Sequence, residues 1–326
     1  GKLSADSGAA NTAARNDGFA WDRTLDAALA QNPDLNFVIS AGDQVNKTGK
    51  PKEEEYAAYL SADALKSLPV ATTIGNHDSL NKDYSYHFNN PNPTDLGMTE
   101  AGGDYYYSYG PGLFIVLNTN NYNVAEHEQA IQKAVANFPD TKWRIVTIHQ
   151  DIYGSGLDHS DTDGMILRTQ LTPVFDVVLQ GHDHTYSRSK ILYGDGKSHG
   201  SYEFRLDETG LDYDWDHAYN NNTGESITLN PLSSDTAAVE AKDAFTADNK
   251  CYTIESSGKS VVTNPKGTLY MTANSASGSK YYELINSQQD YIEVRSQNWL
   301  PSYSVIDLTK DDFKITTYQI TDEGKV

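Results

Sequence analysis

An α/β fold is what this sequence predicts, and three observations carry the expectation. Four short apolar runs each end in a turn bearing residues capable of chemistry: Asn36–Ser40 before Gly42-Asp43-Gln44, Pro69–Ile74 before Gly75-Asn76-His77-Asp78, Arg144–Ile148 before His149, and Asp176–Gln180 before Gly181-His182-Asp183-His184. Stretches between these runs repeat apolar residues at helical spacing, and towards the C-terminus the alternation changes to period two. In an open α/β sheet ligands bind outside the carboxyl ends of the strands, so the four turns are expected to share one rim.

The elements follow in order. Residues 1–18 are small and polar and read as a loop. Phe19 to Ala30 reads as a helix, with Trp21, Leu25, Ala28 and Leu29 on one face and Asn32-Pro33 as the stop. After the first motif a helix is expected from about Lys52 to Ser67, its Glu53-Glu54-Glu55 a solvated run favoured by the helix dipole. A polar rim loop runs from Asp78 to about Gly103. Tyr105–Tyr109 and Leu113–Asn118 read as a hairpin about Gly110-Pro111-Gly112, and Val124 to Phe138 as a helix on which His127 is solvated. Residues 150–163 form a loop over the rim, Gly164–Leu171 a short helix and Thr185–Tyr193 a strand. From 194 to 266 the pattern dissolves into a polar surface insertion with one helix at Thr236–Ala247. Gly267–Ala273, Tyr291–Arg295, Ser302–Leu308 and Phe313–Ile320 read as antiparallel strands of a second sheet. The whole chain, 1–326, is expected to be a single domain carrying that insertion.

Composition narrows the function. Hydrophobic residues make up 38% and mean hydropathy is −0.60, and no apolar run approaches the ~18 residues of a membrane helix, so membrane insertion is not expected. The formal charge of −20, from 45 acidic against 25 basic residues, repels nucleic acid backbones. Any small anion entering such a field needs a local positive centre, which a metal ion supplies. Cys251 is the only cysteine, which excludes an internal disulfide and a zinc-thiolate site. Acidity and richness in Tyr, Asn, Ser and Thr suit an extracellular or cell-surface bacterial enzyme. Gly154-Ser155-Gly156 lacks the GxSxG elbow of a serine hydrolase.

Two His spaced i, i+2 after a strand can reach one pocket, and neutral imidazole is a common transition-metal ligand. The ordered set GD, GNHD, a lone His after a strand and GHDH resembles the calcineurin-like metallophosphoesterase superfamily, and GHDHTYSRS is most similar to its purple acid phosphatase branch and bacterial relatives. The resemblance implies a four-layer α/β/β/α sandwich of mixed sheets flanked by helices, and two transition metal ions (Fe, Zn or Mn, divalent or mixed-valence). It implies that Asp43 bridges the ions, that Asn76, His149 and His182 complete one site, and that His184 joins Asp43 at the other. His77 would orient the phosphoryl group, with Asp78 supporting it, and metal-bound hydroxide would attack phosphorus in line. His159 is either a substrate-binding or leaving-group-protonating residue or a solvated loop His.

Two departures from that pattern stand out. The family opens on a strand ending in Asp-x-His, Asp-x-Gly or Asp-x-Gln, and nothing before Trp21 matches, since Asp6 and Asp17 follow no strand. The chain then reads as trimmed or processed, with the first metal weakly held or absent. Asn46 stands where the purple branch has its tyrosine, so a colourless protein is expected. The leading reading is a phosphoesterase acting on phosphomonoesters. The alternative is a metal-depleted pseudoenzyme or cell-surface binding module keeping the fold.

Overall fold

The structure is a computed structural model that describes residues 7–47, 52–121, 123–156, 175–193, 252–286, 288–321 and 326, with 202–203, 217–220, 223, 226–228, 236 and 240 between them. His159, the 164–171 helix and most of the 236–247 helix lie outside these residues.

The first helix, α1 (Ser7–Gln31), begins well before the expected Phe19, so 7–18 is helical rather than loop. Its early residues carry no apolar stripe that would have announced it, and Asn32-Pro33 ends it as expected. β1 (Val38–Ser40) follows. The single helix expected over 52–67 is instead α2 (Glu53–Leu60) and a short 3-10 turn at Asp63–Lys66, because Ala62 is extended (φ −57°, ψ 129°) and interrupts the helical ladder. β2 (Val70–Thr72) pairs in parallel with β1. The rim loop contains one turn of helix, α3 (Asp83–His87). β3 (Tyr105–Tyr109) and β4 (Gly112–Val116) form the expected hairpin, and α4 (Val124–Asn137) leads to β5 (Trp143–Thr147) and β6 (Val177–Gln180). The strand expected over 185–193 is two, β7 (Tyr186–Ser189) and β8 (Ile191–Tyr193).

Within the insertion β9 (Tyr202–Glu203), β10 (His217–Asn220) and β11 (Ser226–Thr228) form a small antiparallel sheet, and β12 (Thr253–Ser256) pairs with β8. β13 (Leu269–Thr272), β14 (Ile292–Ser296), β15 (Ser302–Leu308) and β16 (Phe313–Gln319) complete the chain. They do not make one separate sheet. β13 enters the main sheet parallel to β6, β14 joins it against β7, and only β15–β16 stands apart as a hairpin. Buried on both faces, β13 suits the middle of a covered sheet.

The main sheet has the order β14-β7-β13-β6-β5-β4-β3. Alternation along its strands divides two cores. Leu113, Ile115, Val146, Val178 and Tyr270 pack with Ile131 and Ala134 of α4. Phe114, Ile145, Val177, Leu179 and Met271 face Phe37 just before β1, Ile39 of β1, and Ile306, Leu308 and Ile315 of the β15–β16 hairpin. Leu25 and Trp21 of α1 cover Val38 on the far side of β1. The layers therefore run α4, main sheet, smaller β layer, α1, which is the expected α/β/β/α order.

Candidate metal centre

The four motif turns converge although β1 and β2 belong to a different sheet from β5 and β6. Backbone bonds join them in pairs, Gly181 N–H donating to His149 O at 2.9 Å and Thr73 N–H to Ser40 O at 3.0 Å, and the His149 ring bonds across to Ala41 O. The approach is close enough to require glycine. A Cβ on Gly75 would lie 2.0 Å from Asp43 Oδ1, and one on Gly42, whose φ is +99°, would lie 2.3 Å from His149 Nδ1.

Asp43, His149 and His182 offer ligand atoms that all lie within 4.8 Å of one another. His149 Nδ1 bonds Ala41 O at 2.8 Å, an acceptor, so the proton sits on Nδ1 and leaves Nε2 for a cation. That Nε2 is 3.0 Å from Asn76 Oδ1, 3.3 Å from Asp43 Oδ2 and 3.3 Å from His182 Nδ1. A tetrahedral ion with bonds of about 2.0–2.1 Å has ligand–ligand edges of about 3.3–3.4 Å, so these residues fit one transition metal ion. Burial would raise the Asp43 pKa, but the nearby His149, His77 and His182 outweigh it and hold the carboxyl well below its usual range. His149 is pushed up, Asp43 overcoming the opposing effect of burial.

The other expected residues fall around this group. His184 lines the same cavity, of about 950 Å³, but is not within the close cluster. Its Nδ1 donates to Lys280 O at 3.2 Å, and burial lowers its pKa to about 4. His77 lines the cavity too, with Nε2 3.9 Å from Asp43 Oδ2, its N–H on Asp43 Oδ1 at 3.0 Å and its Nδ1 on Asn46 O. Asp78 is fully buried behind the ligands. Its carboxylate accepts Tyr56 Oη–H at 2.8 Å, Gly75 N–H at 3.0 Å and Gln44 N–H at 3.4 Å, and burial followed by the Asp43 charge pushes its pKa up. Asp43, His182 and His184 also have positive φ (52°, 65° and 50°), three of the six such non-glycine residues among those described.

Several supporting residues were missed from sequence. Glu55, expected to be solvated, is buried and accepts the N–H groups of Asn46 (2.7 Å) and Lys47 (2.9 Å), fixing the carbonyl that holds His77. Lys52 is buried with its Nζ on Asp78 O at 3.2 Å. Asp183, between the two His, accepts Ser155 N–H at 3.0 Å and Gly156 N–H at 2.7 Å, tying the 154–156 loop to the motif. His127, expected in solvent, is buried against Asp104. Nothing in the EEE run or the α4 pattern marks these positions, because what buries them lies outside the helices that carry the pattern: the Asn46–Lys47 turn for Glu55 and Asp104 for His127. Ser155 Oγ donates to Gln289 Oε1 at 2.9 Å and accepts from an Arg295 guanidinium N–H at 3.2 Å, so among the described residues its hydroxyl proton is held by an amide oxygen.

The structure resembles a purple acid phosphatase from yellow lupin (Lupinus luteus) seeds at a TM-score of 0.53 and 12% identity, covering 94% of this chain and 48% of that one. The chain thus spans about half the length of the lupin protein. A structure of PhoD superposes more loosely, at a TM-score of 0.43 and 11% identity over 94% of this chain and 67% of that one. No curated protein matches in sequence. Residues 18–186, more than half of the chain, match the calcineurin-like phosphoesterases, and the chain belongs to that family.

Proposed function

We propose that this protein hydrolyses phosphate esters, phosphomonoesters above all, with two transition metal ions of the Fe, Zn or Mn type. The observation that carries the reading is the set of 3.0 Å and 3.3 Å separations around His149 Nε2, which match the edges of one metal's coordination shell. In this reading Asn76, His149 and His182 hold one ion, Asp43 is shared, and His184 belongs with Asp43 to the other. When bound, the ions supply Lewis acidity and water made acidic enough to be a nucleophile at neutral pH.

The chain's own residues do the remainder. His77, its Nδ1 engaged by Asn46 O, turns Nε2 towards the cavity, where it can meet charge developing on the phosphoryl oxygens. Asp78 clamps the Gly75 and Gln44 backbone from behind and so fixes the positions of Asp43 and Asn76. His159 is assigned to protonating the leaving group. The whole chain is assigned to a single domain, and an acidic, disulfide-free enzyme of this kind is assigned to the extracellular space or the cell surface. Metal analysis with a nitrophenyl phosphate assay tests the activity. Stoichiometric metal, turnover, and loss of turnover in His77→Ala and Asn76→Ala are expected.

A second reading, a metal-depleted binding module, is favoured by one observation: His184 stands outside the close cluster of Asp43, His149 and His182. Absence of turnover with every metal would select it.

A further inference from the structure

A fifth strand end shares the rim that carries the ligands. β13 runs parallel to β6 with Thr272 beside Gln180, and Ala273 N–H donates to Gln180 O at 2.8 Å, so the turn after β13 leaves the sheet next to Gly181-His182. The carboxyl ends of parallel strands are where an α/β fold collects its ligands. This turn is held at three points: Ser275 Oγ accepts Gly278 N–H at 3.0 Å, Ser275 O accepts Ser302 N–H at 3.2 Å, and Ala276 O accepts Thr24 Oγ–H at 2.7 Å. It runs on to Lys280, whose carbonyl accepts from His184 Nδ1 at 3.2 Å.

Lys280 is the only lysine or arginine among the described residues lining the cavity that also holds Asp43, His77, His149, His182 and His184. Five acids line that cavity, Asp17, Asp34, Asp43, Glu55 and Asp307, so the lysine is where an anion is drawn in. Its Nζ sits 4.5 Å from the centre of the Tyr282 ring, which packs 4.8 Å from the His184 ring, and the ammonium is no farther from that imidazole than the two lengths together. Gln297 fixes both neighbours, its Nε2 donating to His184 O at 2.8 Å and to Tyr282 O at 2.6 Å. Lys47, Lys66 and Lys314 pair with Glu54, Asp63 and Asp307, whereas no carboxylate among the described residues pairs with Lys280. Its ring contact leaves N–H donors for an oxygen anion.

We propose that Lys280 takes the third non-bridging oxygen of a phosphomonoester, the oxygen that a phosphodiester has esterified, and so selects monoesters. A monoester phosphoryl group carries three such oxygens and two negative charges, a diester two oxygens and one charge. The proposal rests on the phosphoesterase reading of the same site, in which the metal cluster engages two of the oxygens, and it assigns the choice of ester class to one residue. A hydrogen bond to a charged group is worth about tenfold to a hundredfold in affinity.

The test compares nitrophenyl phosphate with methyl nitrophenyl phosphate on the zinc-loaded full chain, in wild type, Lys280→Met and Lys280→Arg, alongside calorimetric binding of inorganic phosphate. Both variants keep the main-chain carbonyl that His184 bonds, and Lys280→Gln serves if the methionine variant does not fold. In Lys280→Met the monoester-to-diester ratio of kcat/KM should fall by about tenfold to a hundredfold, phosphate should bind more weakly by the same factor, and metal stoichiometry should hold. Lys280→Arg should recover part of both losses. An unchanged ratio, or loss of metal with both esters falling together as a merely structural role requires, overturns the assignment and leaves the phosphoesterase reading standing. Absence of turnover of either ester by the wild type overturns that reading, and the assignment with it.

Discussion

His127 is the sharpest test of the electrostatics. Its Nδ1 lies 2.7 Å from Asp104 Oδ2 and its Nε2 2.7 Å from Asn121 O. Both partners are acceptors, so both ring nitrogens must carry protons and the buried ring is an imidazolium. Burial alone would lower its pKa, but the Asp104 hydrogen bond and charge, the Asn121 carbonyl and Glu126 together raise it. Removing the ring leaves Asp104, 1% exposed, buried with one remaining bond, from Asn118 N–H at 2.8 Å. Breaking a buried pair costs about 3–5 kcal/mol, and the surviving bond places His127→Ala near the lower end of that range. A group whose pKa is raised on folding contributes fully below its unfolded value, about 6.5, and the contribution fades as pH climbs through the folded value. Urea unfolding of wild type and His127→Ala at pH 5.5 and pH 9 measures this. The gap between them should be large at the lower pH and shrink at the higher. An equal gap at both, or a ¹⁵N spectrum showing a neutral ring at pH 6, would refute the argument.

Five further outcomes are expected. Gly75→Ala drives a methyl to within 2.0 Å of Asp43 Oδ1 and should abolish metal binding, as read by metal stoichiometry. Gly110→Ala, with nothing within 4 Å but a φ of +54°, should cost only about 1 kcal/mol in melting experiments and keep the metal. Glu55→Ala frees the Asn46–Lys47 backbone and should lower kcat more than it raises KM, with Glu55→Gln recovering part of the loss. His182→Gly removes a ligand while relieving a φ of 65°, so metal is lost yet the metal-free protein stays within about 1 kcal/mol of wild type in urea. Metal-loaded protein should show no visible charge-transfer band, because Asn46 stands where a tyrosinate would be needed.

Much of this was legible because strand ends announce themselves. An apolar run that stops at Gly-Asp, Gly-Asn-His-Asp or Gly-His-Asp-His names both a buried strand and the residues at its tip, and the helix stop at Asn32-Pro33 is equally local. What could not be read was set by partners distant in sequence. Whether β13 pairs with β6 or with a C-terminal neighbour depends on the route of the chain through the insertion. The burial of His127 depends on Asp104 arriving from the rim loop, 23 residues away. Glu55 looks like its neighbours Glu53 and Glu54 until the Asn46–Lys47 turn folds onto it. Convergence of Asp43, His149 and His182 was expected, whereas the stand of His184 on the Lys280 carbonyl belongs to a loop whose shape no periodicity encodes.

The backbone explains why these residues, rather than other polar ones on the rim, serve the site. Left-handed conformations cost most for bulky or β-branched side chains and least for Asn, Asp and His, and Asp43, His182 and His184 are of the tolerant kind. Each still stores of order 1 kcal/mol or more, which the surrounding bonds must outweigh. They do so in part through Gly75, whose missing side chain lets its backbone lie against Asp43, and through His77 N–H on the Asp43 carboxylate at 3.0 Å. The turn shape brings Asp43 and His182 to the cluster from two different sheets, and the imidazoles around Asp43 keep it ionised despite burial. Strain opposes this arrangement, and the charges and hydrogen bonds around Asp43 offset it. The Asp43 carboxylate is thus held by the Gly75 backbone, the His77 N–H and the surrounding imidazoles, the kind of preorganisation that binding of an ion requires.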